Sequence, residues 1–247
     1  MKIALLGYGK MGKAIEKIAT AKGHEIVYKV NFENAYDFMA VSLTNVDVAI
    51  DFSMPEAAVD NILKCFSAKV PIVVGTTGWY DQFDFIKEKC LNEGQSMVYS
   101  SNFSIGVNIF FKMNKILAKL MMEHSDYDVM IEEIHHTEKK DHPSGTAISL
   151  AKQIISEIKG KTDYKTRLLL KENTPSQSLK PHELLIESIR KGDVTGDHTV
   201  KYESVIDEIE ITHRAKSRYG FAKGAVLAAE WLQGKKGLYT MDDILNL

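Results

Sequence analysis

The sequence holds two cysteines in 247 residues, carries a formal net charge of -2, and contains no long apolar run. Each shortage excludes something. Cys65 and Cys90 stand far apart and form no CxxC pair, which argues against a disulfide framework or a cysteine zinc site and for two buried free thiols. A near-neutral balance gives no general attraction to nucleic acid or to an anionic membrane, so neither is an expected partner and any basic site must be local. No stretch of about 18 apolar residues is available for a membrane span. Met1-Lys2 leads straight into Ile3-Ala4-Leu5-Leu6-Gly7, too short an apolar run for a signal core, so a reducing, cytoplasmic setting is expected. Repeats and low-complexity segments are also missing. What is present is an ordinary globular composition, 45% hydrophobic and 26% charged, with length for one large domain or two smaller ones.

The first third alternates strand and helix. Short apolar runs at Ile3 to Leu6, Glu25 to Val30, Val46 to Phe52, Val70 to Val74 and Ser96 to Ser100 are separated by helical spacings at Met11 to Ala21, Pro55 to Ser67 and Tyr80 to Asn92. That order predicts a parallel sheet with right-handed crossovers. After about residue 105 the pattern changes. Helices are expected over Asn108 to Glu123, Thr146 to Ile158 and Ala222 to Gln233, and strands over Asp128 to His136, Glu183 to Arg190, Asp197 to Glu203 and Val205 to Arg214. The polar stretch from Lys159 to Pro181, which includes Thr174-Pro175-Ser176, reads as loop, and the chain past Gln233 as a short tail. The expected fold class is α/β: a Rossmann-type parallel-sheet domain and a second α+β domain with a mixed open sheet.

Gly7-Tyr8-Gly9-Lys10-Met11-Gly12 is a GxGxxG turn lying between an apolar strand and a helix, the context in which this pattern binds a dinucleotide. Gly7 permits the tight turn, Gly9 admits a pyrophosphate to the backbone, and Gly12 lets helix and strand approach. The helix N-terminus then supplies free N–H groups. The acidic residue that usually holds the adenine ribose of NAD is missing: Asn31 occupies its position, with Lys29 nearby. The choice between NADH and NADPH is therefore open. Two later turns, Gly75-Thr76-Thr77-Gly78 and Ser100-Ser101-Asn102-Phe103, follow strands at the same sheet edge and are candidate ribose and nicotinamide contacts, or ordinary hydroxyl-capped loops.

The segment from Glu133 to Thr146 gathers three histidines, two lysines and a helix start. Adjacent His135 and His136 on a strand point to opposite faces, so a shared metal is not expected. A histidine titrating near neutrality and a lysine four residues on suit proton transfer and charge stabilisation. Pro143-Ser144-Gly145-Thr146 opens an amphipathic helix, where Ser144 or Thr146 is the cap and free N–H groups attract a carboxylate. A polar loop with a routine cap is the plainer alternative.

Taken in order, these blocks resemble the 4-hydroxy-tetrahydrodipicolinate reductase family. They are the glycine turn, Val46 to Glu56, Val74 to Gly78, Asn102 to Asn108, the Glu-x-His-His-x-x-Lys-x-Asp-x-Pro-Ser-Gly-Thr block, Arg190 to Thr199 and Glu210 to Ala215. The resemblance implies NADH- or NADPH-dependent reduction of a small dicarboxylic cyclic imine, with loss of water, in lysine and diaminopimelate biosynthesis. It implies His135 as catalytic acid/base with Lys139 as its partner, His136 as a substrate ligand, and Ser144, Gly145 and Thr146 as a carboxylate cradle. Gly7 to Gly12, Gly75 to Thr77 and Ser100 to Phe103 are the implied cofactor contacts, and Asn31, from its position alone, is a candidate to hydrogen-bond the ribose. It also implies a homotetramer, and a cofactor domain of residues 1–105 completed by 216–247 around a substrate and oligomerisation domain of 106–215. The first turn is one residue shorter than is usual in that family, Asn31 replaces an acid, and the stretch from Asn31 to Val46 is short. A non-catalytic dinucleotide sensor is the alternative, and it predicts loss of the acid/base residues.

Overall fold

A computed structural model of the chain describes residues 1–169 and 179–247. These form two compact units, Met1–Ile105 with Arg218–Leu247, and Gly106–Ser217.

The first unit is built on a six-stranded sheet. Its elements are β1 (Lys2–Leu6), α1 (Lys10–Ala21), β2 (Glu25–Val30), β3 (Val48–Asp51), α2 (Pro55–Ser67), β4 (Ile72–Val74), α3 (Phe83–Asn92) and β5 (Ser96–Tyr99). The later segment adds α6 (Tyr219–Leu232), β11 (Gly237–Tyr239) and α7 (Met241–Leu245). The strand order is β11-β5-β4-β3-β1-β2, and every pairing is parallel. Alternate residues of each strand enter different cores. Ile3, Leu5, Ile50 and Val73 join the cluster that contains Ile15 of α1 and Ala222, Ala225, Val226, Ala229 and Leu232 of α6. Ala4, Leu6, Ala49 and Val74 join Ile62 and Phe66 of α2 and Ile86 of α3. With both faces covered, the strands read as unbroken apolar runs. Strand order reverses between β1 and β3, so their carboxyl ends border the crevice where such sheets bind ligands.

The second unit contains α4 (Ile105–Met121), β6 (Asp128–His135), α5 (Gly145–Glu157), β7 (Asp163–Leu169), β8 (Glu183–Arg190), β9 (Asp197–Glu203) and β10 (Glu208–Arg214). Its sheet runs β10-β9-β6-β8-β7, with β6, β8 and β7 parallel and β9 and β10 antiparallel. The mixed sheet agrees with the expected fold class. Phe110 and Ala118 of α4 and Leu150, Ala151 and Ile154 of α5 cover Val129, Ile131, Leu184, Ile186, Val200 and Tyr202 of the sheet. Strand β6 alternates strictly, with Val129, Ile131, Glu133 and His135 all turned to the buried side.

Three expectations need correction. The stretch from Lys159 to Pro181 is not all loop, because Asp163–Leu169 forms β7. Six of its seven residues are half-buried and none is fully buried, so this edge strand lacks the apolar alternation that marks a strand in sequence. Thr174-Pro175-Ser176 lies outside the described residues. The strand expected from Val205 begins at Glu208 instead, because Val205 and Ile206 are exposed in a turn closed by Ser204 Oγ, which accepts from the N–H groups of Ile206 and Asp207. The supposed tail supplies the sixth strand, β11, and α7.

Candidate active site

The glycine turn sits where β1 and β2 end, with the N–H groups of Gly7 and Tyr8 both donating to Val30 O. Gly7 has φ +93°, and a Cβ there would fall 2.2 Å from Phe52 O. A Cβ on Gly12 would fall 2.6 Å from Gly7 O, whereas one on Gly9 would meet nothing within 4 Å. Gly7 and Gly12 therefore serve the fold, and Gly9 keeps an open approach to the start of α1. That start has no acidic residue in its first turn and no side-chain cap, so its N–H groups and positive dipole end suit a phosphate.

Beside it, a cavity of about 270 Å³ is lined by Met11, Phe52, Ser53, Pro55, Gly75, Thr76 and Thr77. Its floor is organised by Asp51, a fully buried carboxylate at the end of β3. Asp51 accepts from Thr76 Oγ, from Ser53 N (3.0 Å) and Oγ (2.8 Å), and from Asn61 Nδ2 (2.8 Å). Burial raises its pKa in spite of these bonds. Thr76 Oγ is thus spent inside the protein, and Thr77 is the exposed hydroxyl of the pair. Of the other expected cofactor contacts, Tyr8 and Met11 are half-buried and Lys10 is exposed. Asn31 Oδ1 accepts from the N–H groups of Glu33 and Asn34. Ser100 Oγ and Asn102 bond to each other through Asn102 N and O, and Ser101 is exposed. The Phe103 ring is buried edge-on to Phe52, with centroids 5.9 Å apart.

The second cluster forms at the carboxyl end of β6. His135 Nδ1 lies 3.4 Å from Glu133 Oε2, off the line a hydrogen bond needs, and that nitrogen has no hydrogen-bond partner among the described residues. The His198 ring stands edge-on to His135 at 5.1 Å. Its Nε2 is 2.9 Å from Ser144 Oγ. Ser144 caps α5 by accepting from Ala147 N, and its own N–H donates to Glu133 Oε2 (3.0 Å). Of the two expected caps, it is Ser144 and not Thr146 that does this. The first-turn N–H groups of Gly145 and Thr146 have no acceptor within a helix, and Gly145 is exposed with open space around it. Lys139 Nζ is 2.7 Å from both oxygens of Asp141. Arg190 holds this loop by donating to the carbonyls of Lys139 and Asp141, and its Nη2 is 3.4 Å from Glu133 Oε1. His136 is half-buried just past the end of the strand.

Burial lowers the His135 pKa, with Lys139 and Arg190 adding to the effect and Glu133 opposing it. Burial and the neighbouring His135 take His198 down to about 3. Burial alone would raise the Glu133 pKa, but the serine donors around it, Ser144 first, and the neighbouring His135 together outweigh burial, and the carboxyl stays below its usual range. The resting cluster is therefore a buried carboxylate, two neutral imidazoles and an arginine. Glu133, His135 and His198 bring ligand-type atoms within 4.8 Å of one another. A metal there would compete with the bonds Glu133 already makes to Ser144 and Arg190.

Glu133, Arg190 and His198 are the functional candidates that motif reading passes over. Glu133 was within reach, because two residues back along a strand is the same face. Arg190 and His198 become neighbours only through register: His135 sits opposite Arg190, and Glu133 opposite His198.

Comparisons with known proteins agree along the whole chain. Residues 1–103 match the family described as dihydrodipicolinate reductase, N-terminus, and residues 106–245 match dihydrodipicolinate reductase, C-terminus. A 4-hydroxy-tetrahydrodipicolinate reductase of Christiangramia forsetii is 48% identical, covering 100% of this chain and 98% of that protein. One of Methanosarcina barkeri is 39% identical, covering 97% of this chain and 83% of that protein. In structure, the chain is similar to a dipicolinate-bound dihydrodipicolinate reductase from Paenisporosarcina sp. TG-14 (TM-score 0.76, 20% identity, 97% of each chain covered). At that identity the likeness speaks for the fold.

Proposed function

The chain belongs to the dihydrodipicolinate reductase family and reduces 4-hydroxy-tetrahydrodipicolinate in lysine and diaminopimelate biosynthesis, and on that premise we propose how its residues divide the work. NADH or NADPH, when bound, supplies the hydride. The turn Gly7-Tyr8-Gly9-Lys10-Met11-Gly12 holds its pyrophosphate. The open space at Gly9 supports this, since no other part of the chain lies within 4 Å of where a Cβ would stand. Asn31, Gly75 to Thr77 and Ser100 to Phe103 complete the cofactor contacts, Thr76 through its backbone because its hydroxyl is committed to Asp51.

The substrate is a dicarboxylate. Gly145 and Thr146 offer it first-turn N–H groups, Ser144 fixes that turn, Lys139 supplies a cation, and His136 lies at its edge. His135 carries the proton chemistry. Its pKa is lowered in the free protein by burial and by the cations Lys139 and Arg190. A dianionic ligand beside it reverses the sign of its surroundings and favours the imidazolium. The ring therefore takes up a proton as substrate binds, and has one to give as the hydride arrives and water leaves. The observation that carries this reading is the single block in which a buried histidine, a lysine and a capped helix start converge.

The enzyme acts as a homotetramer in a reducing cytoplasmic setting. Its free, buried Cys65 and Cys90 fit such a compartment, and the exposed Val205, Ile206 and Ile209 of the β9–β10 hairpin are apolar surface for subunit contact. Sedimentation should then give four times the 27.8 kDa chain mass. The catalytic test is a coupled absorbance assay in which pyruvate, aspartate semialdehyde and a dihydrodipicolinate synthase generate the substrate. Nicotinamide oxidation that requires every component supports the reading. No oxidation by folded protein that still binds NADH would sink it.

A further inference from the structure

Lys29 lies on β2, two residues before Asn31, on the side of the strand that meets α1. This is where the adenosine ribose of a dinucleotide is recognised, and a free cation there ordinarily attracts the 2′-phosphate of NADPH. Lys29 is not free. Its Nζ is 2.6 Å from Glu16 Oε1 of α1 and 4.8 Å above the ring of Tyr8, inside the glycine turn. The Tyr8 hydroxyl donates to the other oxygen of Glu16. The three side chains close on one another: carboxylate between ammonium and phenol, ammonium over the ring. Hydrogen bonds from Lys29 and Tyr8 lower the Glu16 pKa, and the bond to Glu16 raises that of Lys29, so both stay charged. Asn31 contributes no charge, and its Oδ1 already serves two backbone N–H groups.

We propose that Glu16 sets the cofactor preference of this enzyme by holding Lys29 in a neutral pair with Tyr8. Neither usual discriminator then operates from β2: Asn31 stands where a carboxylate would grip the 2′-hydroxyl, and the cation of that strand, Lys29, is already paired. A phosphate that draws Lys29 away must break the pair and face the half-buried Glu16 carboxylate. NADH and NADPH are consequently used with similar efficiency, and the charge of residue 16 tips the balance. The proposal rests on the cofactor reading above.

The test uses the full-length protein with two small probes, adenosine 2′,5′-bisphosphate and 5′-AMP, titrated calorimetrically at low salt, alongside kcat/KM for NADH and NADPH. Wild type should bind the two probes within about threefold of each other. Glu16→Gln should tighten the bisphosphate about tenfold and leave 5′-AMP within about twofold, and the NADPH-to-NADH ratio should rise by the same factor. The gain should shrink as salt is added and vanish in Glu16→Gln/Lys29→Met. Lys29→Met alone, which leaves Glu16 unopposed, should weaken the bisphosphate about tenfold, and it carries the test should Glu16→Gln fail to fold. Equal effects on both probes, a wild-type preference beyond about tenfold, or a gain that survives the double substitution would overturn the proposal. Probe binding that follows these rules in a protein that turns over no imine would leave it standing and refute the functional reading instead.

Discussion

The two units hold their ligand groups by opposite means. In the first, the proposed binding surface is mostly main chain: glycines that keep it bare, a helix N-terminus, and a buried Asp51 that ties Ser53 and Thr76 into shape. In the second, the groups proposed to react are side chains on the core face of β6, where a strand that begins with Val129 and Ile131 continues with Glu133 and His135. Main-chain N–H groups do not titrate, so such a site takes its pH dependence only from the groups that support it, here Asp51. A site of buried ionisable groups is tuned by every charge around it. The difference teaches where sensitivity belongs: affinity for the cofactor in backbone space, and chemistry in a few coupled side chains.

Four measurements break or sharpen that contrast. His135→Gln should cut turnover about 10²- to 10⁴-fold, the usual range for a proton-transfer residue, while NADH affinity measured by fluorescence stays within about twofold. A matching loss of NADH affinity would mean the two units do not divide the work. Gly7→Ala comes next. Its Cβ strikes the Phe52 carbonyl at a positive φ, so a loss of about 3 kcal/mol or more is expected in denaturant unfolding. Gly9→Ala should instead leave the melting temperature unchanged and weaken NADH about tenfold, or ~1.4 kcal/mol. If both glycine variants simply unfold, the division between fold and ligand within the turn is wrong.

The last effect is in pH. His135 and His198 have folded pKa values below the unfolded 6.5, that of His198 about 3. Below about pH 6.5 the unfolded chain takes up protons that the folded one refuses, so stability falls with pH by up to ~1.4 kcal/mol per unit for each such histidine. Asp51 has the opposite sign: its folded pKa is raised, so its contribution is present at low pH and is lost as pH rises through that value. Hydrogen exchange at pH 7 and pH 5 should show β6 and β9 losing protection on acidification before β1 and β3. Uniform loss, or earlier loss in β1 and β3, would contradict the contrast.

Sequence reading reached the first unit almost strand by strand, because two-sided burial writes continuous apolar runs and glycine spacing is local. It reached Ser144 and the His135 to Lys139 spacing for the same reason. It missed β7, whose edge position gives it no apolar face, and β11, only three residues long. It did not single out His198 or Arg190. Each is placed against β6 by a register of neighbouring strands, and register is a property of the folded sheet, not of any one segment. Lys29 was visible as a charge, but its capture by Glu16 depends on α1 lying beside β2.

The first unit is interrupted in sequence. Its β11 pairs with β5, and α6 supplies six buried residues to the core that Ile3 and Leu5 enter. On a ribosome this sets an order. The stretch Gly106–Ser217 emerges whole and can collapse on itself, while the strands made first wait for Arg218–Leu247 to close their apolar face. During that interval the earliest-made segment is the one most in need of a chaperone. The unit begun before the other is finished after it.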